Sequence, residues 1–372
     1  MRIGIDARMF DESGVGRYIR NLLNNLQDLD NQNEYFIFLL SRNFNNLKLQ
    51  NNFTKIKADF KWYGISEQLK FPTLLNKYKL DLVHFPHFNV PIFFKGKFIV
   101  TIHDLIHQHF QMRKATTYDP ITYKIKQLGY KKIFNNAIKK SQKIIVPSNF
   151  VKNQLIKECN LKDSKIEVTY EAVDDQLLSI IKKVSSTSMD KVLTKFDIKL
   201  PYIFYVGNAH PHKNVEGLIK AFLEIRKKYQ YLQLVLSGND HYFWKRIKEN
   251  YQDKNIIYTG FITDQELVAL YKSAKVFVMP SFEEGFGIPL LEAFACLCPV
   301  VSSNKGSLPE VGKDTALYFD PSSREDMESK IMEVLNNNKL KEQLVKKGEE
   351  KYKEFSWEKL VQQTLKLYKE YS

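Results

Sequence analysis

Short apolar runs typical of buried strands recur along the chain, and helix-length stretches separate most of them. In the first 170 residues these runs are RIGIDA, YFIFLLS, DLVHFP, FIVTIHD, KIIVPS and KIEVTY. A second series from residue 202 onward contains YIFYVG, LQLVLSG, NIIYTG, KVFVMP and PVVSS. Strands and helices that alternate in this way predict parallel sheets covered by helices on both faces.

Two series of strands predict two domains, since a chain of 372 residues exceeds the usual size of a single hydrophobic core. The polar, serine-containing segment 174–199 between the two series is the best candidate for a linker. The last residues, 355–372, predict an amphipathic helix with Trp357, Leu360, Leu365 and Leu367 on its apolar face. The predicted architecture is α/β, with two doubly wound, Rossmann-like domains facing across a cleft.

The net charge of +14 is concentrated in the first half of the chain. Residues 1–185 contain 29 Lys and Arg against 17 Asp and Glu, whereas residues 186–372 contain 27 against 25. The densest part is the helix-period segment 124–143, which holds seven lysines. A solvated helix face is the ordinary interpretation of such a segment, and contact with an anionic membrane surface is the main alternative. Nucleic acid is not a predicted partner, because recognition aromatics do not interleave with the lysines and no RNA or DNA motif is present.

Composition also bears on the compartment. No apolar run approaches the ~18–20 residues of a membrane span, and the start MRIGIDARMF carries charges where a signal peptide needs an apolar stretch. We therefore expect a cytoplasmic protein. The three cysteines, Cys159, Cys296 and Cys298, are predicted to be buried, reduced thiols.

The stretch SFEEGFGIPLLEA, residues 281–293, places Glu284 and Glu292 eight positions apart. Gly285 and Gly287 exclude one helix across both carboxylates, and Pro289 is best tolerated in the first turn of a helix. An apolar run, KVFVMP, comes directly before. The predicted order is strand, glycine loop, helix, which is a corner where free backbone N–H groups bind anionic ligands.

A second loop, in YVGNAHPHKN, ends a predicted strand at Gly207 and places Lys213 at the start of a helical run. A lysine at a helix N-terminus completes a site for anionic oxygens, and diphosphate is its natural ligand. Glu292, one helical turn beyond the phosphate corner, suits the two hydroxyls of a ribose. Glu284 would then face a group attached to the far phosphate.

Histidines cluster in the first half, where five of the eight lie between residues 84 and 109: His84, His87, His103, His107 and His109. His103 and Asp104 close an apolar strand and are predicted to reach the cleft rim. The cluster raises a metal interpretation, but the spacing of His103 and His107 suits a metal only in a helix, and no Glu general base accompanies it.

Two further motifs are weak. SGVGRY, residues 13–18, predicts a glycine turn that opens a helix, but Ile19 stands where a dinucleotide fingerprint needs its third glycine. The DLD triplet at 28–30 is of a type that metal-dependent transferases use, yet its polar surroundings predict a surface turn.

Taken together, the motifs resemble those of the retaining glycosyltransferases of family 4, which have the GT-B fold and include bacterial mannosyltransferases. The resemblance runs nearly end to end through Glu-x7-Glu, HPHKN, GFITDQELVALYKSA, TIHD, VPSNF and GVGRY. It implies transfer of a sugar from a nucleoside-diphosphate sugar, GDP- or UDP-linked, with no metal or other cofactor. The acceptor would be a glycan or a lipid-linked molecule. The reaction would take place at the inner face of the membrane, in the synthesis of a cell-surface polysaccharide such as lipopolysaccharide.

The resemblance also implies roles by position. Lys213 would hold the diphosphate, Glu284 the donor sugar hydroxyls and Glu292 the ribose, while His103, followed by Asp104, would lie beside the anomeric carbon. The other implied donor-binding positions are Gly14, Gly16, Asn208, His212, Gly285, Phe286, Gly287 and Ile288. Many relatives carry Arg where this chain has Asn208 and His212, so diphosphate neutralisation would depend more on Lys213.

The implied acceptor-side domain comprises residues 1–172 with the C-terminal helix 356–372, and the donor-binding domain comprises residues 173–355. Two other functions remain open from the sequence. A nucleotide-sugar epimerase on the same fold would turn over donor without acceptor. A basic nucleic-acid-binding protein would use the charge alone.

Overall fold

The computed structural model describes residues 1–45, 47–109, 120–239 and 242–372. The described chain forms two units. The first contains residues 1–105, 120–171 and 356–372, and the second contains residues 106–109 and 172–355. Residues 106–109 therefore group with the second unit, although the predicted first domain includes them.

The first unit is built on a parallel sheet that has seven strands within the described residues, in the order β3-β2-β1-β4-β5-β6-β7. The strands are β1 (Arg2–Asp6), β2 (Glu34–Leu39), β3 (Phe53–Lys57), β4 (Leu82–Phe85), β5 (Phe98–Thr101), β6 (Ile144–Val146) and β7 (Ile166–Val168). The helices are α1 (Ser13–Leu29), α2 (Ile65–Asn76), α4 (Pro120–Lys140), α5 (Asn149–Cys159) and α15 (Trp357–Tyr371). In register, Ile3 of β1 lies opposite Tyr35 of β2 and Leu82 of β4.

The second unit repeats this plan on a parallel sheet ordered β10-β9-β8-β11-β12-β13. Its strands are β8 (Tyr202–Val206), β9 (Gln233–Ser237), β10 (Ile256–Gly260), β11 (Val276–Met279), β12 (Val300–Ser303) and β13 (Leu317–Phe319). Its helices are α3 (Ile106–His109), α6 (Asp175–Lys183), α7 (Ser186–Lys195), α8 (Val215–Lys228), α9 (Tyr242–Asn250), α10 (Asp264–Ser273), α11 (Ile288–Ala295), α12 (Leu308–Gly312), α13 (Arg324–Asn336) and α14 (Asn338–Lys351). Among the described residues, no helix is long and apolar enough to cross a membrane.

Strands β3 and β13 are absent from the predicted series, and each lies at the edge of its sheet. In β3 only Phe53 and Ile56 are buried, while Thr54 and Lys57 are exposed. β13 has three residues. An edge strand is covered on fewer sides than a central strand, so it carries too short an apolar run for sequence periodicity to detect.

The predicted linker 174–199 is wrong, because most of this segment is folded. Helices α6 and α7 both pack against α10. Leu177 is fully buried, and the Lys195 ammonium lies 2.5 Å from the Glu266 carboxylate. The serines that suggested a linker include Ser185, whose side chain caps the N-terminus of α7.

The cysteine prediction holds for two of the three residues. Cys296 and Cys298 are buried, and burial raises the pKa of both thiols. Cys159 is only half-buried, and all three are free thiols.

Helix α15 is fixed to the first unit by a polar contact in an otherwise apolar interface. The Trp357 ring lies 5.8 Å from that of Tyr18, and the Tyr368 hydroxyl lies 2.7 Å from His84 Nδ1. The other His84 nitrogen, Nε2, lies 2.8 Å from Thr101 Oγ1. Complete burial lowers the pKa of His84 to about 3, so its imidazole is neutral and bridges both hydroxyls. Of the predicted apolar face of α15, Trp357, Leu360 and Leu367 are buried and Leu365 is half-buried. The buried face also contains Val361, Thr364 and Tyr368, which were not predicted.

We predict that His84→Ala destabilises the protein by about 2–4 kcal/mol at neutral pH, because it removes both hydrogen bonds and leaves a cavity. The native pKa lies below that of an unfolded histidine, ~6.5. Stability from neutral His84 is therefore full above pH 6.5 and is lost as the pH falls toward 3. Denaturant unfolding measures the free energy of unfolding at pH 7.5 and at pH 5. Its decrease between the two pH values should be about 2 kcal/mol smaller in the variant than in the wild type. An equal fall in both proteins would contradict neutral His84, and the exposed His107→Ala serves as the control.

Candidate active site

In the second sheet the strand order reverses between β8 and β11. From β8 the chain continues to β9 and β10 on one side, and from β11 to β12 and β13 on the other. Ligands of open parallel sheets bind beyond the carboxyl ends of the strands at such a point. Lys213 lies in the loop after β8, at the end of a 3-10 turn (Pro211–Lys213), and Glu284 lies in the loop after β11.

Lys213 and Glu284 are brought together by this topology. The Lys213 ammonium lies 2.7 Å from Glu284 Oε1 and 2.8 Å from Oε2, so it donates to both carboxylate oxygens. Ser281 Oγ donates a further hydrogen bond of 2.6 Å to Oε1. The two side chains are 19% and 8% exposed. A half-buried ammonium and a nearly buried carboxylate are therefore fixed at the point predicted for the diphosphate and the donor sugar.

The loop that carries Glu284 is fixed from behind by two residues. Ser307 Oγ lies 3.0 Å from the carbonyl oxygen of Glu284 and 2.8 Å from that of Phe286. Gly306, at φ +65°, packs so closely that a Cβ there would lie 2.7 Å from the Glu284 nitrogen. Phe282 N–H donates to the His212 carbonyl at 2.7 Å, which ties the loops after β8 and β11 to each other.

The predicted break between Glu284 and Glu292 is confirmed. Gly287 caps α11 at φ +104°, a conformation that favours glycine, and Pro289 lies in the first turn after Ile288. At the start of this helix Pro289 has no N–H, and the Leu290 N–H donates to the Gly287 carbonyl at 3.0 Å. Gly285 and Phe286 complete the loop.

Glu292 lies one turn into α11 and is 2% exposed. The Tyr271 hydroxyl of α10 lies 3.2 Å from Glu292 Oε2 and 3.2 Å from the carbonyl oxygen of Pro289. Burial, followed by the adjacent Glu292, raises the pKa of Tyr271 well above its usual value, so the phenol stays protonated as a donor. Sequence reasoning did not find Tyr271, which is one of several aromatic residues in a helix that also packs the core.

His212 does not add charge to this corner. It is 5% exposed, and burial followed by the neighbouring Lys213 lowers its pKa to about 2. Asn208 organises the preceding turn, because its Oδ1 accepts from His210 N–H at 3.2 Å and its carbonyl accepts from Tyr205 at 2.7 Å. Of the predicted donor-loop residues after β8, Lys213 is therefore the one that carries positive charge.

Glu283, beside Glu284, is a further carboxylate that sequence reasoning did not single out. Both of its oxygens lie 2.8 Å from His109 Nδ1. The ring nitrogens of His84, His103 and His109 contact different residues, although the rings of His84 and His103 both pack edge-on against Tyr18. Among the described residues, no group of three or more His, Cys, Asp or Glu side chains is arranged to hold a metal ion.

The DLD triplet is exposed at Asp28 and Leu29, as predicted for a surface turn, but not at Asp30. Asp30 is buried and accepts hydrogen bonds of 2.6 Å from Tyr35 Oη and 2.9 Å from Gln32 N–H. Burial opposes ionisation, yet these hydrogen bonds outweigh it and lower the pKa of Asp30. The surface prediction was wrong for Asp30, which connects α1 to β2.

In the first unit His103 follows β5, with the half-buried Asp104 next to it. His103 Nδ1 donates to Glu171 Oε1 at 3.0 Å, and Nε2 donates to the Pro86 carbonyl at 2.9 Å. Burial opposes protonation of His103, but Glu171 outweighs it and raises the pKa of the imidazole above its usual value. Because both partners only accept, His103 is held as an imidazolium. Sequence reasoning missed Glu171, which is separated from His103 by 68 positions.

The glycine turn SGVGRY opens α1 as predicted, at the carboxyl end of β1. Gly16 lies against the preceding turn, where a Cβ would come within 2.5 Å of the Phe10 carbonyl oxygen. Gly14 faces open space, with nothing within 4 Å of the position of a Cβ. The strand order of the first sheet reverses between β1 and β4, so α1 begins at the corresponding point of that sheet.

A buried ionic network at the same corner was not predicted. Arg8 Nη2 donates to Asp6 Oδ2 and to Glu67 Oε1, each at 2.7 Å. Asn89 Nδ2 donates to the same Glu67 oxygen at 2.6 Å, and Asn89 Oδ1 is buried without a hydrogen-bond partner. Asp6, Val15 and Asn89 line a cavity of about 10 Å³. The signal in the sequence was the Asp-Ala-Arg triplet, which begins at the last residue of the first strand.

Two family models together match most of the chain. The model of Glycosyltransferase Family 4 matches residues 13–177, and the model of Glycosyl transferases group 1 matches residues 190–351. The chain is similar to O-antigen chain mannosyltransferase B of Escherichia coli, with 31% identity over 304 residues, which cover 79% of this chain and 76% of that protein.

Solved structures show the same fold. Sucrose-phosphate synthase of Thermosynechococcus elongatus superposes with a TM-score of 0.77 at 19% identity, covering 100% of this chain and 98% of that one. The Anabaena protein HepE, in complex with UDP and glucose, superposes with a TM-score of 0.76 at 14% identity, with 100% of both chains covered.

The fold and the comparisons together define a glycosyltransferase with the GT-B fold, built from two Rossmann-like units. The chain belongs to the family 4 glycosyltransferases, whose second unit is the group 1 glycosyl transferase domain, and it is a hexosyltransferase. The predictions of fold class and enzyme class are confirmed. The family models and the similar mannosyltransferase favour glycosyl transfer over the epimerase and the nucleic-acid-binding alternatives.

We predict that Glu171→Gln lowers the pKa of His103, because it removes the charge that holds the imidazole protonated. Selective ¹³C labelling of histidine with an NMR titration measures this directly. Glu167→Gln, on β7, is the matched control and should leave His103 unaffected. A His103 pKa unchanged by Glu171→Gln would mean that the contact does not set the charge of the imidazole.

Proposed function

We propose that this enzyme transfers a sugar, with retention of anomeric configuration, from a GDP- or UDP-linked donor to a glycan or lipid-linked acceptor in cell-surface polysaccharide synthesis. Mannose is the proposed sugar, because the similar E. coli protein is an O-antigen chain mannosyltransferase. A nucleoside diphosphate donor is supported by the complex of HepE with UDP and glucose.

The observation that carries the proposal is the Lys213–Glu284 pair at the point where the strand order reverses. Breaking the bond between sugar and phosphate leaves negative charge on the β-phosphate and positive charge on the sugar. Fixed donors aimed at the phosphate lower the energy of that charge separation, and this is usually the largest single contribution to catalysis. Lys213 and the N-terminus of α11 supply such donors on two tied loops.

A diphosphate would compete with Glu284 for the Lys213 ammonium. As the ammonium turns toward phosphate oxygens, Glu284 keeps the hydrogen bond from Ser281 and gains capacity to accept from hydroxyl groups. The pair thus links phosphate binding to sugar binding. Glu284 is accordingly proposed to bind the hydroxyls of the donor sugar, and Lys213 the β-phosphate.

Glu292 is proposed to bind the ribose. Its carboxylate is buried one turn beyond the start of α11, and Tyr271 fixes its orientation. A carboxylate that accepts only is matched to two vicinal hydroxyls, which can both donate.

We also propose that the reaction needs no metal ion, because the Lys213 charge and the helix N-terminus are positioned to neutralise the leaving diphosphate.

Lys213→Met is expected to lower kcat by about 100-fold or more, since the charge that Lys213 meets grows in the transition state. Initial rates of sugar transfer measure it, with thermal unfolding to verify that the variant is folded. Lys220→Met, an exposed lysine on α8, is the matched control and should retain wild-type rates. EDTA should leave wild-type activity unchanged. Activity lost with EDTA and restored by Mn²⁺ would contradict the metal-free mechanism.

Glu292→Ala is expected to weaken binding of the nucleotide by about 1.5–3 kcal/mol while turnover at saturating donor survives, because the ribose is remote from the breaking bond. Calorimetric titration with GDP and UDP measures the loss and identifies the base. Tyr271→Phe, which keeps the carboxylate, should have the smaller effect. Unchanged nucleotide affinity in Glu292→Ala would remove the ribose role.

Contact with an anionic membrane is proposed through α4. Lys131, Lys132, Lys139 and Lys140, here called the α4 lysines, are exposed, whereas Ile133, Phe134, Ala137 and Ile138 of the same helix are buried. Leu128, on the same helix, is 68% exposed. Each lysine near an anionic surface contributes about 1 kcal/mol, and salt screens it over ~8 Å. An exposed leucine beside four lysines adds an apolar contact for such a surface.

The protein should therefore co-sediment with anionic but not with neutral liposomes, and high salt should reverse the binding. Changing the α4 lysines to Gln should weaken it. The control changes four exposed lysines of the second unit to Gln: Lys182, Lys183, Lys191 and Lys220. An equal loss of liposome binding in both variants would mean that net charge, not α4, causes the binding. No liposome binding by the wild type would indicate a soluble acceptor.

A further inference from the structure

A second cavity lies at the opposite edge of the second sheet from Lys213 and Glu284. Its volume is about 520 Å³, within the usual range for small-molecule sites. Residues that directly precede three strands line it: Pro201 before β8, Leu232 before β9 and Lys275 before β11. The amino ends of these strands lie at this edge, whereas the proposed donor site lies at the carboxyl ends.

The cavity is cationic. Of the three basic residues in the last turn of α8, Arg226 pairs with Asp253 and Lys227 with Glu224. Lys228, the third, lines the cavity with Lys275, and within the described residues neither forms an ion pair. Burial, followed by the neighbouring Lys275, lowers the pKa of Lys341, so a further ammonium lies beside Lys275. Lys228 and Lys275 thus present positive charge to the cavity, which favours an anionic ligand.

Apolar and aromatic groups surround these charges. Tyr229 is fixed by a hydrogen bond of 2.6 Å from its hydroxyl to Asn336 Oδ1, and its ring lies 5.9 Å from the Lys228 ammonium. Tyr231 lines the same cavity and is 87% exposed, and Leu335 contributes an aliphatic wall. Leu200, next to Pro201, is 60% exposed. Large apolar side chains exposed around a cavity are typical of a binding site.

A purely structural role explains only part of this arrangement. A lysine at the C-terminus of α8 stabilises the helix dipole, but Arg226 and Lys227 already occupy that turn. Lys275 lies outside the helices, and the dipole does not require an exposed tyrosine beside it. A ligand with an anionic head and an apolar body satisfies both the lysines and the exposed side chains.

We propose that this cavity is a second ligand site, for an amphiphile whose phosphate is bound by Lys228 and Lys275 and whose apolar body packs on Tyr229, Tyr231 and Leu335. The phosphate belongs either to a lipid in a bilayer or to a dissolved molecule with an apolar part. Neither source depends on the identity of the donor sugar or of the nucleotide.

Calorimetric titration of the full chain with octyl phosphate, inorganic phosphate and octyl glucoside tests the site. Octyl phosphate should bind at least about tenfold more tightly than either other compound. Inorganic phosphate lacks the apolar chain, and octyl glucoside lacks the anionic head. The double substitution Lys228→Gln and Lys275→Gln should weaken the binding of octyl phosphate by a similar factor. Tyr231→Ala alone should also weaken this binding. Lys220→Gln with Lys245→Gln is the charge-matched control. Equal binding of octyl glucoside, or full binding to the Lys228/Lys275 double variant, would overturn the proposal.

Lys213→Met distinguishes this site from the donor site, because it should leave octyl phosphate binding unchanged. Loss of binding in that variant would mean that the probe occupies the donor corner, and would overturn the second site. Vesicles of phosphatidylcholine with phosphatidic acid then identify the source, with the α4 lysines changed to Gln in every protein tested so that the proposed α4 contact does not contribute. Vesicle binding that the Lys228/Lys275 variant loses supports a lipid, whereas octyl phosphate binding without vesicle binding supports a dissolved ligand.

Discussion

The ion pair between Lys213 and Glu284 is the interaction on which the candidate site depends. It joins two loops that are 71 positions apart in the chain, and it exists because β8 and β11 are neighbours in the sheet. Ser281, Ser307 and Gly306 fix the carboxylate side, and the hydrogen bond from Phe282 to His212 fixes the lysine side. Removing one partner of such a pair leaves a nearly buried charge uncompensated, so the lysine and the carboxylate stabilise each other before a ligand arrives.

Histidine charge follows from surroundings in both units. His84 and His212 are buried, and burial keeps them neutral. The His103 side chain is 18% exposed, and Glu171 reverses the effect of its burial and holds it as a cation. The three histidines thus carry different charge, and the donor corner relies on a lysine for its positive charge.

Sequence reasoning found the central strands, the loop before α11 and the positions of Lys213 and Glu284, because each depends on local signals: apolar runs, glycines and a proline. It missed β3, β13 and the helices α6 and α7, whose apolar positions are too few or too mixed with polar residues. It also missed Glu171, Tyr271 and the Arg8 network with Glu67. These residues meet their partners through sheet order, which a single sequence does not encode locally.

The central claim is that the Lys213–Glu284 corner binds the diphosphate of the donor. The most direct measurement is a crystal structure of the full chain with bound nucleoside diphosphate. We expect a β-phosphate oxygen within hydrogen-bonding distance, about 2.7–3.2 Å, of the Lys213 ammonium, with the ribose hydroxyls on Glu292. A diphosphate bound elsewhere, with the Lys213–Glu284 ion pair unchanged, would contradict the account.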